Sequence, residues 1–286
     1  MPLISLLLAQ AVALEKSKDR VEIKVDGAVV GTYVFDDPVV RRPYFANLRV
    51  PGGPQVTRNH PTKEHDAADH ATMHPGIWMS FGDLGGADFW RNKGRVQPAF
   101  LRIEGTAIQA GFQYRAGDAV VCQETARITL LSRPDGLLIV LDSAYTSEAP
   151  FAFGDQEEMG FGVRLSTALT VKAGGRIVDS EGRENEKGIW GKTPAWADYG
   201  SSAAGVLVIP DPANFRPSWF HVRDYGLLVA NPFGRKAFTK GEPSRVEIKP
   251  GETFRLRYAA LLHGGELRPR AAADAVLETL RSLPRP

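Results

Sequence analysis

The stretch Cys122-Gln-Glu-Thr-Ala-Arg-Ile-Thr-Leu-Leu-Ser-Arg-Pro-Asp-Gly-Leu-Leu-Ile-Val-Leu-Asp-Ser-Ala-Tyr145 decides the fold class. Cys122, Glu124, Ala126, Ile128 and Leu130 fall on one face, opposite Gln123, Thr125, Arg127 and Thr129, which is the two-residue period of a β-strand. Arg133-Pro-Asp-Gly136 reads as a turn, because proline and glycine punctuate strands. Leu137 to Tyr145 then runs almost unbroken in apolar residues, as suits a strand buried on both faces.

The same signals recur outward from this hairpin. Val21-Glu-Ile-Lys-Val25 alternates, Asp26-Gly27 signals a tight turn, and Val29 to Phe35 returns. Leu101 to Tyr114 holds Glu104-Gly105 between two β-like runs, and Phe161 to Val171, Val206 to Ile209, Gly226 to Ala230, Val246 to Ile248 and Phe254 to Leu262 continue the series. Only Ala271 to Leu283 reads as helix, with Val276, Leu280 and Leu283 at helical spacing and Pro284 as its stop. The expectation is an all-β fold, a large antiparallel β-sandwich with a C-terminal helix. No repeat or linker divides the chain, so residues 21–286 read as one domain behind a signal-like or flexible segment over residues 1–20.

Composition narrows the function classes. The 286 residues are 43% hydrophobic, enough for a sizeable core. With 35 basic and 33 acidic residues the formal charge is +2, which offers no general field for nucleic acid or anionic membranes. A single cysteine, Cys122, excludes an internal disulfide framework and any cysteine-based zinc or iron–sulfur site. No run reaches the roughly 18–20 apolar residues of a membrane span. Leu6-Leu7-Leu8 ahead of Ala11-Val12-Ala13 resembles a secretory signal lacking a basic start, so an exported or periplasmic location is favoured over the cytoplasm.

The segment from Pro51 to Arg95 is long, polar and aromatic with little periodicity, and loops of that length inside a domain are usually functional. His60, His65, His70 and His74 fall within fifteen residues, with Asp66 and Asp69 among them. Imidazoles beside carboxylates are the inventory of acid–base catalysis or of a divalent metal site. The H-x-x-x-H spacing would set His70 and His74 on one helical face, as metal ligands often are, although any one of these histidines also suits a plain polar loop. Of Glu157 and Glu158, adjacent on an entering strand, only one can face a cleft. His221 and Arg223 share a face if extended, with Asp224 on the other. Trp78, Trp90, Trp190 and Trp196 fit a carbohydrate cleft and fit a core equally well. Gly82-Asp-Leu-Gly-Gly86 lacks a following helix, and no P-loop or dinucleotide motif occurs, so no nucleotide cofactor is expected.

Arg42-Pro-Tyr-Phe45, Val56-Thr-Arg58, Asp69-His70, Gly76-Ile-Trp78, Gly82-Asp83, Asp88-Phe-Trp90, Glu157-Glu-Met-Gly160, His221-Val-Arg-Asp-Tyr-Gly226 and Asn231-Pro-Phe-Gly234 together resemble the bacterial PmoA-like family of unknown function, historically named methane oxygenase PmoA. The common form of that family carries a denser Asp-His-Pro-His-His run where this chain has Asp69-His-Ala-Thr-Met-His74. A methane monooxygenase subunit is integral to the membrane, and this chain has no spanning segment. The resemblance implies a sandwich similar to the galactose-mutarotase-like supersandwich and a setting of carbohydrate breakdown.

The expected function is therefore a carbohydrate-active enzyme, an epimerase, lyase or hydrolase acting on a sugar or oxidised glycoside. The alternative is a non-catalytic carbohydrate-binding β-sandwich. His70, His74, Glu158 and His221 are the candidate catalytic residues, and His70 and His74 the candidate ligands of one divalent metal ion. Arg58, Trp78, Asp83, Trp90, Trp196, Arg223 and Asn231 are the candidate substrate contacts.

Overall fold

Alternation becomes hairpins where it was expected. Asp26 and Gly27 both take positive φ (49° and 78°), the geometry of a two-residue type I′ turn, and Arg133 pairs with Gly136 across Pro134-Asp135. The computed structural model describes residues 11–284, so residues 1–10 of the signal-like or flexible segment expected over residues 1–20 lie outside the described residues, while Val12–Lys16 of that segment forms a strand paired antiparallel with Val21–Val25. In chain order the strands are β1 (Val12–Lys16), β2 (Arg20–Val25), β3 (Ala28–Val34), β4 (Tyr44–Ala46), β5 (Ile77–Phe81), β6 (Arg95–Glu104), β7 (Ala107–Ala116), β8 (Ala119–Arg133) and β9 (Gly136–Thr146). They continue with β10 (Phe151–Phe153), β11 (Met159–Arg164), β12 (Arg176–Asp179), β13 (Ala197–Gly200), β14 (Ala204–Pro210), β15 (Trp219–Arg223), β16 (Leu227–Asn231), β17 (Val246–Ile248) and β18 (Phe254–Gly264). Helices α1 (Asn185–Ile189), α2 (Arg235–Thr239) and α3 (Pro269–Ser282) complete the fold.

Two eight-stranded antiparallel sheets form, in the orders β1-β2-β3-β4-β5-β11-β16-β15 and β12-β13-β14-β18-β9-β8-β7-β6, with β10 and β17 as a separate pair. Their inner faces share one core: Val21, Ile23, Met79, Phe81 and Phe161 from the first meet Phe112, Ile128, Leu130, Ile139 and Tyr258 from the second. The Phe161 and Tyr258 rings stack at 5.3 Å and 4° across the interface. Each such fully buried large apolar side chain contributes about 1.5–3 kcal/mol. On the outer face of the second sheet, Leu138, Val140, Leu207, Ile209 and Leu261 are covered by Ala273, Val276 and Leu280 of α3. That cover explains why Leu137 to Tyr145 is apolar at nearly every position.

Two expectations needed revision. The strand anticipated over Phe161 to Val171 ends at Arg164 and gives way to 3₁₀ turns at Thr167–Leu169 and Val171–Ala173. Thr170 looks like a strand former, but its hydroxyl donates to the Thr167 carbonyl (2.9 Å), and Gly174 at φ 95° closes the turn. Conversely β5, inside the supposedly irregular Pro51 to Arg95 segment, is a central strand with all five residues buried. Cover on both faces erases the alternation that would have revealed it.

Glu124 is the one carboxylate on the inward face of β8 at the sheet interface. The Tyr114 and Tyr145 hydroxyls donate to it at 3.0 and 3.2 Å, beside a cavity of about 30 Å³ lined by Tyr33, Met79, Leu141 and Phe161. Burial pushes its pKa up, opposed by these hydrogen bonds. The folded state therefore holds the proton more tightly than the unfolded chain. Its contribution is complete below the ordinary carboxylate value of about 4.3 and declines as pH rises from there through the raised value. Glu124→Gln, which cannot ionise, is expected to flatten the fall in unfolding free energy measured by urea titration from pH 5 to 8. An unchanged slope would refute this.

Candidate functional site

Inward positions on the first sheet alternate with an outward set that is polar and glycine-rich. Inter-strand register pairs Ser80 with Gly160 and Asn231 with Trp219 on this face, and aligns Trp78, Gly162, Val229 and His221 in one row. Arg164, Leu227 and Arg223 form another row. At Gly162 a Cβ would lie 2.6 Å from the Trp78 ring, so glycine lets the indole lie across β11. Loops on either side of β5 close over part of this face, burying Val40, Tyr44, Trp78 and Trp90.

Above the Trp78 indole stands a short ladder of rings. Met73 and His74 amides both donate to the His70 carbonyl (3.0 and 2.9 Å), so residues 70–74 make one helical turn. The turn stacks His74 on Trp78 at 5.2 Å and 11°, and His70 on His74 at 4.9 Å and 22°. Trp90 meets His74 edge-on at 5.8 Å. His74 is buried, whereas the His70 side chain is 40% exposed. Burial, aided by the positive charge of Arg164, drives His74 down to about 2, which keeps it neutral at working pH. Neither ring nitrogen of His74 finds a hydrogen-bond partner within the protein, and nor does Trp78 Nε1.

His70 is held by a relay. Its Nδ1 lies 3.1 Å from Asp69 Oδ2, and Arg164 donates to both Asp69 oxygens at 2.9 and 2.8 Å. Burial opposes ionisation of Asp69, but the hydrogen bonds from Arg164 and His70 outweigh it and hold the carboxyl at about 2. Tyr225 lies over the Arg164 guanidinium, 4.5 Å from ring centroid to Cζ. The geometry leaves Nε2 of His70 as the nitrogen not engaged by Asp69. His70 itself sits at φ 51°, a left-handed conformation uncommon outside glycine and typical of sites where strain is tolerated for function.

Two buried arginines build the loop that carries this relay. Arg58 donates to the carbonyls of Ala67, Asp69 and His74 at 2.9, 2.7 and 2.8 Å. Arg42 donates to the Trp90 carbonyl (2.8 Å), to Asn92 Oδ1 (2.9 Å) and to the Met73 carbonyl. Both satisfy loop carbonyls that would otherwise be buried without donors.

A second polar cluster lies at the β15 side. Glu157 accepts hydrogen bonds from Arg223 (2.7 Å) and from the Trp190 indole (3.1 Å), and Arg223 also donates to Glu186 (2.8 Å). His221 Nε2 lies 3.1 Å from Glu157 Oε1, an ion-pair distance without hydrogen-bond alignment. Burial lowers His221 to about 4 against the pull of Glu157. Glu158 pairs with Arg91.

The structure thus brings His70, His74, Trp78, Trp90 and Arg58 together at one pole, and His221, Arg223 and Asn231 together at the other, with Glu158 in the loop that leads into β11. Asn231 donates to the carbonyls of Gln156 and Glu157 and accepts from the amides of Phe233 and Gly234, so it pins that loop. Asp83 accepts from the Gly86 amide (3.1 Å) inside its turn. Trp196 packs under α3 on the other sheet and does not join the site. Arg164 and Arg91 went unnoticed in the sequence, and Tyr225 stood there only as part of the His221–Gly226 motif. A charge ending the otherwise apolar Phe161-Gly-Val-Arg164 was the available signal for the first.

A shared metal ion does not fit His70 and His74 as placed. Lone pairs of imidazole lie in the ring plane, and near-parallel stacked rings aim them side by side rather than at one point. No group of three or more His, Cys, Asp or Glu side chains suited to a metal occurs among the described residues. A cavity of about 310 Å³ lies elsewhere, between Asp211, Arg257 and α3 residues Leu277 and Arg281.

A sequence model for DUF6807, a family of unknown function, matches residues 20–277. The match agrees with the unknown-function status of the motif resemblance and makes no tie to PmoA. No curated protein matches the chain by sequence. Among solved structures, the chain is similar to a GalM/aldose epimerase homologue from C. elegans, at 9% identity over 90% of this chain and 100% of that one, with a TM-score of 0.41. It is similar to an alpha-galactosidase from Lactobacillus brevis at 9% identity over 93% of this chain and 41% of that one (TM-score 0.43). A heparan sulfate lyase HepC from Pedobacter heparinus is similar at 7% identity over 91% and 36%, with a TM-score of 0.42.

Proposed function

The chain belongs to DUF6807, a family of unknown function, and we propose that it is an enzyme of acid–base chemistry acting on a sugar or a sugar-derived carbonyl compound. The observation that carries this reading is the relay Arg164–Asp69–His70. A carboxylate fixed by a bidentate arginine holds one imidazole nitrogen and leaves the other for a substrate proton. This is the arrangement that sets tautomer and orientation in a histidine base. His74 and Trp78 fix the plane of the His70 ring from below. In this reading His70 removes a proton beside a carbonyl, the electron pair moves to the carbonyl oxygen, and nearby donors stabilise the charge. Tyr225, part-exposed and lying over the Arg164 guanidinium, is the donor beside the relay. Return of that proton to the carbon from the opposite face completes an epimerisation, and loss of a β-linked sugar, protonated on its leaving oxygen, completes a lyase reaction; simple hydrolysis would instead use His70 to activate a water, and none of these needs a metal at this pair of histidines.

The test is a screen of oxidised and unoxidised glycosides for turnover, with and without a chelator. The expected result is turnover of a member of the panel at a rate a chelator does not change. Loss of turnover on chelation overturns the metal-free reading. The aromatic surface around Trp190 and Trp219 favours a second reading, a non-catalytic carbohydrate-binding sandwich. Binding without turnover by the wild-type protein, retained by a His70→Ala, His74→Ala variant, selects that reading.

A further inference from the structure

We propose that the His70 site takes an anionic sugar, one carrying a carboxylate as a uronate does, and that this carboxylate lies beside the Tyr225 hydroxyl on the exposed side of the Asp69–His70 relay. The inference rests on the acid–base reading above and names the substrate class of that same site. What points to it is a surplus of buried positive charge around one loop. Arg42, Arg58 and Arg164 are 2%, 1% and 1% exposed. Among the described residues, Asp69 is the one carboxylate in an ion pair with any of them. Arg164 takes both of its oxygens at 2.9 and 2.8 Å, and Arg58 stands 3.8 Å away. Asp88 pairs instead with Arg91, and Asp66 accepts from Asn59 and from the Lys63 amide. Three guanidiniums therefore share one paired carboxylate.

Carbonyls of Ala67, Asp69, His74, Trp90 and Met73 satisfy the terminal N–H groups of Arg58 and Arg42. Carbonyl dipoles accept hydrogen bonds but carry no net charge, so the charge itself goes unanswered. Nε of each of the three arginines is also buried without a partner. Burial pulls Arg42 down to about 9, and burial together with the charge of Arg164 pulls Arg58 down to about 10. Both stay charged at neutral pH, under a strain that an incoming anion relieves. The same surplus reaches the ring ladder. Beyond burial, the charges of Arg164, His70, Arg42 and Arg58 all oppose protonation of His74, and His70 stacks directly on that ring at 4.9 Å.

The chain as a whole carries only +2, so this field is local to the loop. Low dielectric around buried charges carries their potential to the adjoining surface. At that surface, Asp69 is already engaged by Arg164, whereas Tyr225 is part-exposed and its hydroxyl makes no hydrogen bond to the described residues. A phenol beside a guanidinium is a suitable donor to a carboxylate. A positive field here also favours the negative charge that builds on a carbonyl oxygen as His70 takes its proton, so one set of arginines serves binding and chemistry.

The experiment is titration calorimetry with three methyl glycosides: a neutral hexose, its uronic acid and its uronamide. The amide keeps the shape of the carboxylate and removes its charge. Arg42 and Arg58 hold the loop, so the probes vary the charge of the ligand and leave the fold untouched. Wild-type protein is expected to bind the uronate at least about tenfold more tightly than either neutral probe, the worth of one charge-assisted contact. Tyr225→Phe, checked by a thermal melt, is expected to lower uronate affinity by about tenfold and to leave hexoside affinity unchanged. A uronamide that binds as tightly as the uronate overturns the proposal, as does tighter binding of the neutral hexoside. Both results leave the sugar reading standing. Uronate affinity unchanged in Tyr225→Phe, or an equal loss for all three probes, overturns the placement of the carboxylate. No saturable binding of any probe, with no turnover in the glycoside screen, overturns the carbohydrate reading beneath it.

Discussion

Replacing His70 with alanine is expected to lower turnover by about 10²–10⁴-fold, the usual worth of a positioned acid–base group. The same change should leave the fold nearly intact. The His70 side chain is 40% exposed and contributes one stacking contact, at 4.9 Å to His74. Loss of such a contact costs about 0.5–1.5 kcal/mol, or a few degrees of melting temperature in a chain this long. Turnover of the screened glycoside and a thermal melt of the same preparation check both halves together. A large fall in melting temperature with unchanged specific activity would make His70 structural and would remove the relay from the mechanism. Arg164 offers a contrast, since it acts through Asp69 rather than on substrate. Loss of Arg164 should reduce kcat by loosening the imidazole while leaving KM for a bound glycoside little altered.

Arg58→Ala is expected to have the opposite signature, a large loss of stability. The guanidinium is 1% exposed and donates to the carbonyls of Ala67, Asp69 and His74. Removing it strands those oxygens beneath the loop, at a cost of about 3–5 kcal/mol, in the range for breaking a buried charged network. Urea unfolding monitored by circular dichroism measures that loss. Hydrogen exchange should further show faster opening of residues 58–76 than of β8 and β9. A variant that keeps wild-type stability and loses only substrate affinity would restore Arg58 to the role of direct substrate contact that its position beside the histidines suggested.

The two families of residues in these predictions differed in how far the sequence exposed them. The Cys122–Tyr145 hairpin was legible because strand alternation and a Pro-Asp-Gly turn are local properties. The helix at Pro269–Ser282 was legible for the same reason. His70 and His74 stood out because five consecutive residues fold into one turn, so sequence spacing and spatial spacing coincide. Arg164 and Asp69 are 95 positions apart, and no spacing rule reaches across that distance. The four candidate tryptophans looked alike in sequence. Trp78 and Trp90 lie under the histidine loop, Trp190 joins the Glu157 cluster, and Trp196 is part of the packing beneath α3.

Residue type and period therefore set the β class, the strand faces, the C-terminal helix and the polar loop rich in histidine. They set these because side-chain alternation and turn preference act over two to five residues. Which strands neighbour which was decided only when β5, β11, β16 and β15 paired, bringing segments near residues 78, 162, 229 and 221 into one row. That row, and the arginines bound beneath the histidine loop, turn scattered histidines and carboxylates into two poles of one face. Pairing depends on burying the opposite face of each strand against the second sheet, a condition that no single segment can meet alone.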